Sequence, residues 1–487
     1  MKRIVLWPAA ALLLIPAEAS AHFFAQPYTL PVPFSVYAIG AVLALLLSFV
    51  CVGVFATVSA VRRAPGVPKV APVRAASLRP GVLAGRVISV ALLALCIATG
   101  LLGRQNAFAN FSMTFFWIFF VLALPYAVAL IGDFYAAVNP WKAIVLAIEW
   151  LLRRPLRGRV SYPSSLGVYP ALALYMVFIW LELFGQLTPR GLGRALLAYT
   201  FVNIAAAWVF GRDAWFRHGE FFGVFMRLIG KISPRAAPWD PDEAGTTSSA
   251  RWRVPFVGLL EERATHVSLV LFILFMLSST AFDGVHATLP WASVFWKGIY
   301  PDIAPWFHPA PGQTYALSAQ LYYVWQWCSL LVSPFVYFAV FAVFVWAVKR
   351  VTGTPRTLGE LVLRFAPSLV PIAFVYHITH YYTILLAQAG SIVKLVSDPF
   401  GFGWNLFGTA AQPIAPLLID VEAIWHTQVA LILIGHIVSV YLAHLEALEL
   451  FSTPRRAAVS QLPMLVLMML FTTLGLWILS LPLASGG

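Results

Sequence analysis

Two histidines, His377 and His380, stand three residues apart within a long apolar run, in the sequence "VYHITHYYTILLA". On an α-helix, residues i and i+3 face nearly the same side. Neutral imidazole is the commonest protein ligand for metal ions, and it also exchanges protons near neutral pH. The pair therefore indicates a site for metal binding or for proton transfer inside an apolar segment.

A third histidine, His436, lies in the next apolar segment at a similar depth. With a rise of ~1.5 Å per residue, His377 lies roughly 16 Å, His380 about 21 Å and His436 about 18 Å from the ends of their segments. Three imidazoles at one level suit Zn²⁺, Fe or Cu with an open coordination position. Tyr381 adds a hydroxyl that could donate a proton, and no carboxylate is expected at this depth.

We therefore predict metal ligation by the three histidines, and catalytic roles for the same three and Tyr381. Proton transfer along the histidines is an open alternative. A purely structural alternative also remains, because histidines form hydrogen bonds between membrane helices.

A second, external set of candidate residues consists of His22, Asp283, His286 and His426. Removal of a signal peptide over 1–21 would make His22 the N-terminal residue, and an N-terminal histidine can chelate copper through its amine and its ring nitrogen. The Asp-Gly pair in "FDGVHA" is equally typical of a turn. Glu182, in "IWLELFGQ", is expected to extend to the membrane interface.

Composition places these residues in a membrane protein. Of the 487 residues, 61% are hydrophobic and only 10% are charged, whereas a soluble domain carries roughly 25% charged residues. The chain therefore cannot cover a water-facing surface, and the lipid bilayer is its expected surrounding. The chain also lacks G-x-S-x-G, Walker A, H-E-x-x-H and G-x-G-x-x-G patterns, which argues against serine hydrolases, ATP-driven machines and nicotinamide enzymes.

The first residues are typical of a secretory signal peptide. Lys2 and Arg3 precede a short apolar core, and Ala19-Ser20-Ala21 fits the small-x-small cleavage pattern. We predict a signal peptide over 1–21 and a single integral membrane domain over 22–487. An uncleaved first anchor is the alternative.

Apolar runs long enough to cross a bilayer predict about ten helices after the signal, and hence an all-α polytopic bundle. The predicted spans are 34–60, 85–103, 111–131, 167–184, 194–211, 264–281, 317–347, 364–390, 422–448 and 460–483. Most of the 32 Lys and Arg residues lie in alternate loops. By the positive-inside rule these loops are cytoplasmic, so both termini are predicted to be external. The net charge of +13 then comes mainly from the cytoplasmic loops, where basic residues set the orientation of the helices. Nucleic acid is therefore not an expected partner.

Several long and unusual stretches carry a family resemblance. They are "GDFYAAVNPWKA" (132–143), "FFGVFMRLIGKISP" (221–234), "SSTAFDG" (278–284), "YHITHYYTILLAQ" (376–388), "SDPFGFGWNLFGTA" (397–410), "GHIVSVYLAH" (435–444) and "SQLPMLVLM" (460–468). From the third span to the last, the chain resembles the bacterial multi-pass membrane proteins labelled fenitrothion hydrolase, and its start "AHFFAQPYTLPVP" is similar too.

The resemblance implies a protein of the bacterial inner membrane that hydrolyses an apolar organophosphorus triester and releases a phenol. A metal on the three histidines would activate water for that reaction. Two other functions stay open on the residues alone. One is a proton-coupled transporter or permease with the histidines as relay, and the other is a redox subunit that binds haem or copper.

Overall fold

The computed structural model describes residues 33–55, 73–236, 247–248, 251–261, 264–307, 314–413, 420–451 and 453–481. The predicted signal peptide and His22 lie outside these residues. Within them, four strands of two residues each form two antiparallel pairs, Val73–Arg74 with Thr247–Ser248 and Arg235–Ala236 with Arg251–Trp252. Nearly all other regular structure described is helical, which confirms the all-α prediction.

Ten helices in the described part of the chain are long and apolar enough to cross a membrane. We number them α1 to α10: Phe34–Phe55, Ala75–Leu102, Phe111–Ile131, Tyr169–Phe184, Pro189–Phe210, Val267–His286, Thr314–Thr352, Leu358–Ser397, Val421–Leu450 and Pro454–Ser480. Each helix overlaps one predicted span, so the prediction of a polytopic bundle is confirmed.

Two of these helices are not uniform. The middle of α3, Phe115–Ala123, has π-helical winding between two α-helical pieces. In α8, two turns of 3₁₀-helix, Ala366–Leu369 and Ala389–Ser391, flank the long α-helical piece Val370–Gln388. Pro367 and Pro371 are the second residues of Ala366–Leu369 and Val370–Gln388. Because α8 continues through both positions and proline has no N–H, each proline removes one hydrogen bond from the helix, and the winding of α8 changes there.

Shorter helices fill the connections. They are Ala107–Ala109, Tyr135–Val138, Pro140–Leu152, Ser164–Leu166, Arg212–His218, Phe221–Gly230, Val257–Leu260, Leu289–Ser293, Val294–Ile299, Tyr300–Ile303 and Ala304–Trp306. Helix Pro140–Leu152 is directly followed by Arg153 and Arg154. Helix Phe221–Gly230 is almost wholly buried, and it packs against α3, α4 and α8.

The centre of the bundle is α6. In its apolar window 89% of the residues are buried, compared with 11% in α1. Helices α4, α7, α8 and α10 pack around α6, whereas α1 packs only against α9 and α10 among its main contacts. Polar groups on α6 are therefore held away from lipid, and α1 exposes most of its apolar surface.

Glycines allow the central helices to approach closely. A Cβ on Gly435 of α9 would lie 2.2 Å from Val375 Cγ2 of α8. A Cβ on Gly284 of α6 would lie 2.7 Å from Ile478 of α10 and 3.8 Å from the His380 ring. Small residues at such contacts are the usual means of close packing between membrane helices. They bring α6, α8, α9 and α10 together around His380.

Candidate functional site

Asp283 of α6 is the centre of a buried polar cluster. Its carboxylate Oδ2 lies 2.8 Å from His380 Nε2 and accepts a hydrogen bond of 2.7 Å from the Tyr381 hydroxyl. Both partners are consecutive residues of α8, and Asp283 is only 5% exposed. A carboxylate in this position requires such partners, since an uncompensated buried charge is very costly.

A small cavity of about 30 Å³ adjoins this carboxylate. That volume has room for one or two water molecules. Its polar lining consists of Tyr175, Glu182, Ser279, Thr280, Asp283, His377 and Tyr381, and most of the rest is aromatic or aliphatic. Two carboxylates, from α4 and α6, thus face the same confined space.

His377 also lines the cavity, one helical turn before Tyr381 on α8. Its Nδ1 lies 3.5 Å from the Tyr126 hydroxyl of α3, and its ring centroid lies 4.9 Å from that of Tyr381. Phe225, from helix Phe221–Gly230, packs on the ring at 6.4 Å. His377 and His380 therefore do share one side of α8, and each contacts a different polar partner.

His436 lies apart from this arrangement. It is 3% exposed, its Nδ1 lies 2.8 Å from the Ile432 carbonyl of its own helix, and its Nε2 has no hydrogen-bond partner. Among the residues that the structure describes, no three His, Cys, Asp or Glu side chains are placed to hold one metal ion. The described residues therefore lend no support to zinc, iron or copper held by His377, His380 and His436, and this metal site stays a prediction.

The external candidates separate in the same way. His286 lies one turn beyond Asp283, with its Nδ1 2.9 Å from the Asp283 carbonyl and 3.9 Å from the carboxylate Oδ1. His426 is 3.3 Å from the Tyr37 hydroxyl of α1. Asp283 thus contacts α8 and His286 lies beside Asp283 on α6, whereas His426 lies with α1.

Two acidic residues have positions that the sequence did not indicate. Asp283-Gly284 is not a turn, because α6 continues through it to His286. Glu182 lines the central cavity, although an acid near the end of a span was expected to extend outwards. The only available signal was an acidic side chain inside an apolar run, which favours a functional role by default.

Comparison of the chain with protein families, with curated proteins and with solved structures gives no match. The fold and the site geometry therefore define a class only: an all-α polytopic bundle with a buried acid–histidine–tyrosine cluster. The resemblance to proteins labelled fenitrothion hydrolase remains a prediction.

Proposed function

We propose that the protein is a proton-coupled membrane transporter whose proton-binding site is the Asp283 cluster. The observation that supports this is the contact of one buried carboxylate with His380 and Tyr381, beside a water-sized cavity that a second acid, Glu182, also lines. Chains of acidic and histidine side chains inside membrane helices are typical of proton relays in pumps and transporters.

The chemistry of the cluster follows from its charges. Two carboxylates that face one small space are unfavourable when both are ionised. We therefore expect one proton to be shared by Asp283 and Glu182. Imidazole can accept a proton or release one at either ring nitrogen, which makes His380 a natural neighbour for transfer to Asp283. The Tyr381 hydroxyl, which donates to Asp283, stabilises the ionised carboxylate.

Proton binding at this position has a mechanical consequence. The cluster joins α4, α6 and α8, and helix Phe221–Gly230 closes the cavity through Phe221, Phe222 and Phe225. A change in net charge alters the interactions among these helices without any new contact to lipid. Such a charge change is the kind of local event that can bias a two-state bundle.

Infrared difference spectroscopy during a pH change tests the proposal on purified full-length protein. We expect a carboxyl protonation band that is lost in Asp283→Asn and reduced in Glu182→Gln. The exposed acid Glu422 supplies the matched control, since Glu422→Gln should leave the band intact. Proton flux into proteoliposomes under an imposed potential should fall in Asp283→Asn and persist in the control. A band and a flux that survive Asp283→Asn would contradict the proposal.

Organophosphorus triester hydrolysis is the second candidate function. It is favoured by the Asp283–His380 contact, because a carboxylate beside an imidazole can orient that ring as a general base for water. An aryl triester needs far more than the present cavity of about 30 Å³, so this function also requires helix Phe221–Gly230 or α3 to move.

The two candidates differ in a direct assay. Release of a phenol from an aryl phosphotriester by purified wild-type protein, lost in His380→Gln, would favour the hydrolase. Absence of turnover together with proton flux that depends on Asp283 would favour the transporter.

A further inference from the structure

A second candidate site lies at the end of helix Pro140–Leu152. A broad surface depression there is lined by Leu146, Glu149, Trp150, Leu151, Arg153, Arg154 and Pro155. It combines exposed apolar side chains with exposed guanidinium groups. This depression is separate from the Asp283 cluster, and the proposed transport activity does not use it.

The charge in the depression is unbalanced. Glu149, its one acid, pairs with Arg212 at 2.5 Å and accepts a 2.7 Å hydrogen bond from the Leu156 N–H. Among the described residues, neither Arg153 nor Arg154 pairs with a carboxylate, and both are exposed. The depression therefore presents two uncompensated positive charges.

The apolar side of the depression is equally exposed. Trp150 is 81% exposed and Leu151 is 74% exposed. Large apolar side chains next to arginines are typical of helices that lie in the membrane interface, with the apolar groups at the acyl chains and the arginines at the headgroups. Arg153 and Arg154 are thus placed where phospholipid phosphates would lie.

The backbone supports a specific role for Arg153. The N–H of Arg153 donates to the Trp150 carbonyl, and the N–H of Arg154 donates to the Glu149 carbonyl. This hydrogen-bond pair is a Schellman motif, in which the residue at the Arg153 position is usually glycine. Here an arginine takes the left-handed conformation, with φ 52° and ψ 30°, although that conformation is unfavourable for a side chain with a Cβ.

We propose that this depression binds an anionic phospholipid. Arg153 and Arg154 hold the phosphate-bearing headgroup, because guanidinium groups bind phosphate through paired hydrogen bonds. Trp150 and Leu151 contact the acyl chains of the same lipid. The occupant is a lipid and not a free phosphate, since the arginines and the exposed apolar side chains line one depression.

Native mass spectrometry of delipidated full-length protein tests this site, with phosphatidylglycerol and phosphatidylcholine added in separate titrations. We expect preferential binding of phosphatidylglycerol. The double variant Arg153→Gln/Arg154→Gln should weaken that binding by roughly five-fold for each arginine, or about 25-fold in total. Binding of phosphatidylcholine should not change.

Two further variants guard against misfolding and against general charge effects. Arg153→Gly keeps the left-handed helix end, so it should fold normally and still lose about five-fold in affinity. Arg190→Gln/Arg194→Gln removes two exposed arginines from the start of α5, whereas Arg212, just beyond the other end of α5, contacts Glu149 of the depression. This control variant should leave phosphatidylglycerol binding intact.

Three results would overturn the assignment. One is equal affinity of the wild-type protein for both lipids, and another is equal loss in the Arg190/Arg194 control. The third is competition by inorganic phosphate at the concentration of the lipid, which would show a site for phosphate alone. None of these readouts depends on proton transport, so failure here leaves the proposed function untouched.

Discussion

Two buried acids of this protein, Asp283 and Glu220, are held in different ways. Asp283 contacts side chains from another helix, whereas Glu220 caps a helix. The Glu220 carboxylate accepts hydrogen bonds from the N–H groups of Phe222 and Gly223, from the Tyr199 hydroxyl and from Asn139 Nδ2, at 2.6 to 3.1 Å. Nevertheless its full burial raises the pKa of Glu220 to about 7, because desolvation of the carboxylate outweighs these bonds.

This raised pKa predicts a pH-dependent stability. An acid with a pKa of 4.5 when exposed and about 7 when folded binds more protons in the native state between those values, so its contribution is full below about 4.5 and is lost as the pH rises through 7. The difference amounts to roughly 3 kcal/mol. We expect the unfolding temperature in detergent to rise from pH 8 to pH 5, and to rise less in Glu220→Gln.

The exposed acid Glu422 provides the control for that measurement, since Glu422→Gln should keep the wild-type pH dependence. The two tyrosines beside Glu220, Tyr135 and Tyr199, do not ionise in this interval, because the ordinary pKa of tyrosine is about 10. Burial raises the pKa of Tyr135 further above that value. Identical pH dependence in wild type and Glu220→Gln would contradict the assignment.

At the residue scale, the sequence predicted part of the cluster. The spacing of His377 and His380 placed both on one side of α8, and both contact the polar interior. The partner of His380 could not be predicted, because Asp283 is 97 residues away on a helix that does not follow α8 in the chain. The similar depths of His377, His380 and His436 predicted that these side chains meet. Depth alone, however, does not determine the direction in which a side chain points.

At the scale of elements, α8 and α9 are joined by a charged contact at one end. Arg364, at the start of α8, pairs with Glu446 near the end of α9 and lies 3.4 Å from Glu449. The Glu446 side chain is 7% exposed and the Arg364 side chain is 19% exposed. Removing one partner of such a buried pair leaves an uncompensated charge, whereas replacing both is often nearly neutral.

We therefore predict that Arg364→Leu is strongly destabilising, by about 3–5 kcal/mol. The double variant Arg364→Leu/Glu446→Gln should recover much of this loss. Thermal unfolding of the purified variants measures both effects. The i,i+4 pair of Arg356 with Glu360 is half-exposed, so Arg356→Leu serves as the control and should cost less than about 1 kcal/mol. A double variant no more stable than Arg364→Leu would refute this account.

Hydropathy located every long helix in the described residues, because about 20 apolar residues cannot stay in water. The internal winding of α3 and α8 was not predicted. Helix Phe221–Gly230 was not predicted either, because its 10 residues are too few for a span. Local hydrogen bonding and packing decide such features, and a hydropathy pattern does not report them.

At the scale of the whole molecule, the positions of α8 and α9 depend on Gly435. A Cβ there would lie 2.2 Å from Val375 Cγ2 and 3.1 Å from the Pro371 carbonyl, so the two helices would have to separate. Overpacking of this kind costs typically 1–3 kcal/mol. Because α8 carries His380 and Tyr381, the same displacement would disturb the Asp283 cluster.

Gly435→Ala should therefore lower both the unfolding temperature and the proton flux in proteoliposomes. Val375→Ala in the same chain should restore both, since it removes the methyl groups that the new Cβ meets. Gly40→Ala in α1 is the matched control, because no atom lies within 4 Å of a Cβ at that position. Loss of function in Gly40→Ala, or no effect in Gly435→Ala, would refute the argument.

The π-helical stretch Phe115–Ala123 gives α3 a freedom that the other nine long helices lack. Residues of this stretch line two cavities, and Tyr126 just beyond it contacts His377. If one turn relaxed to α-helical winding, the end of α3 would rotate by about 100° for each residue of register gained. Tyr126 would then turn away from His377 while the backbone stayed continuous. Pro125, which directly precedes Tyr126 and has no N–H, already removes one helical hydrogen bond at the end of the stretch. The groups that α3 turns inward can therefore be exchanged by a twist of α3 about its own axis.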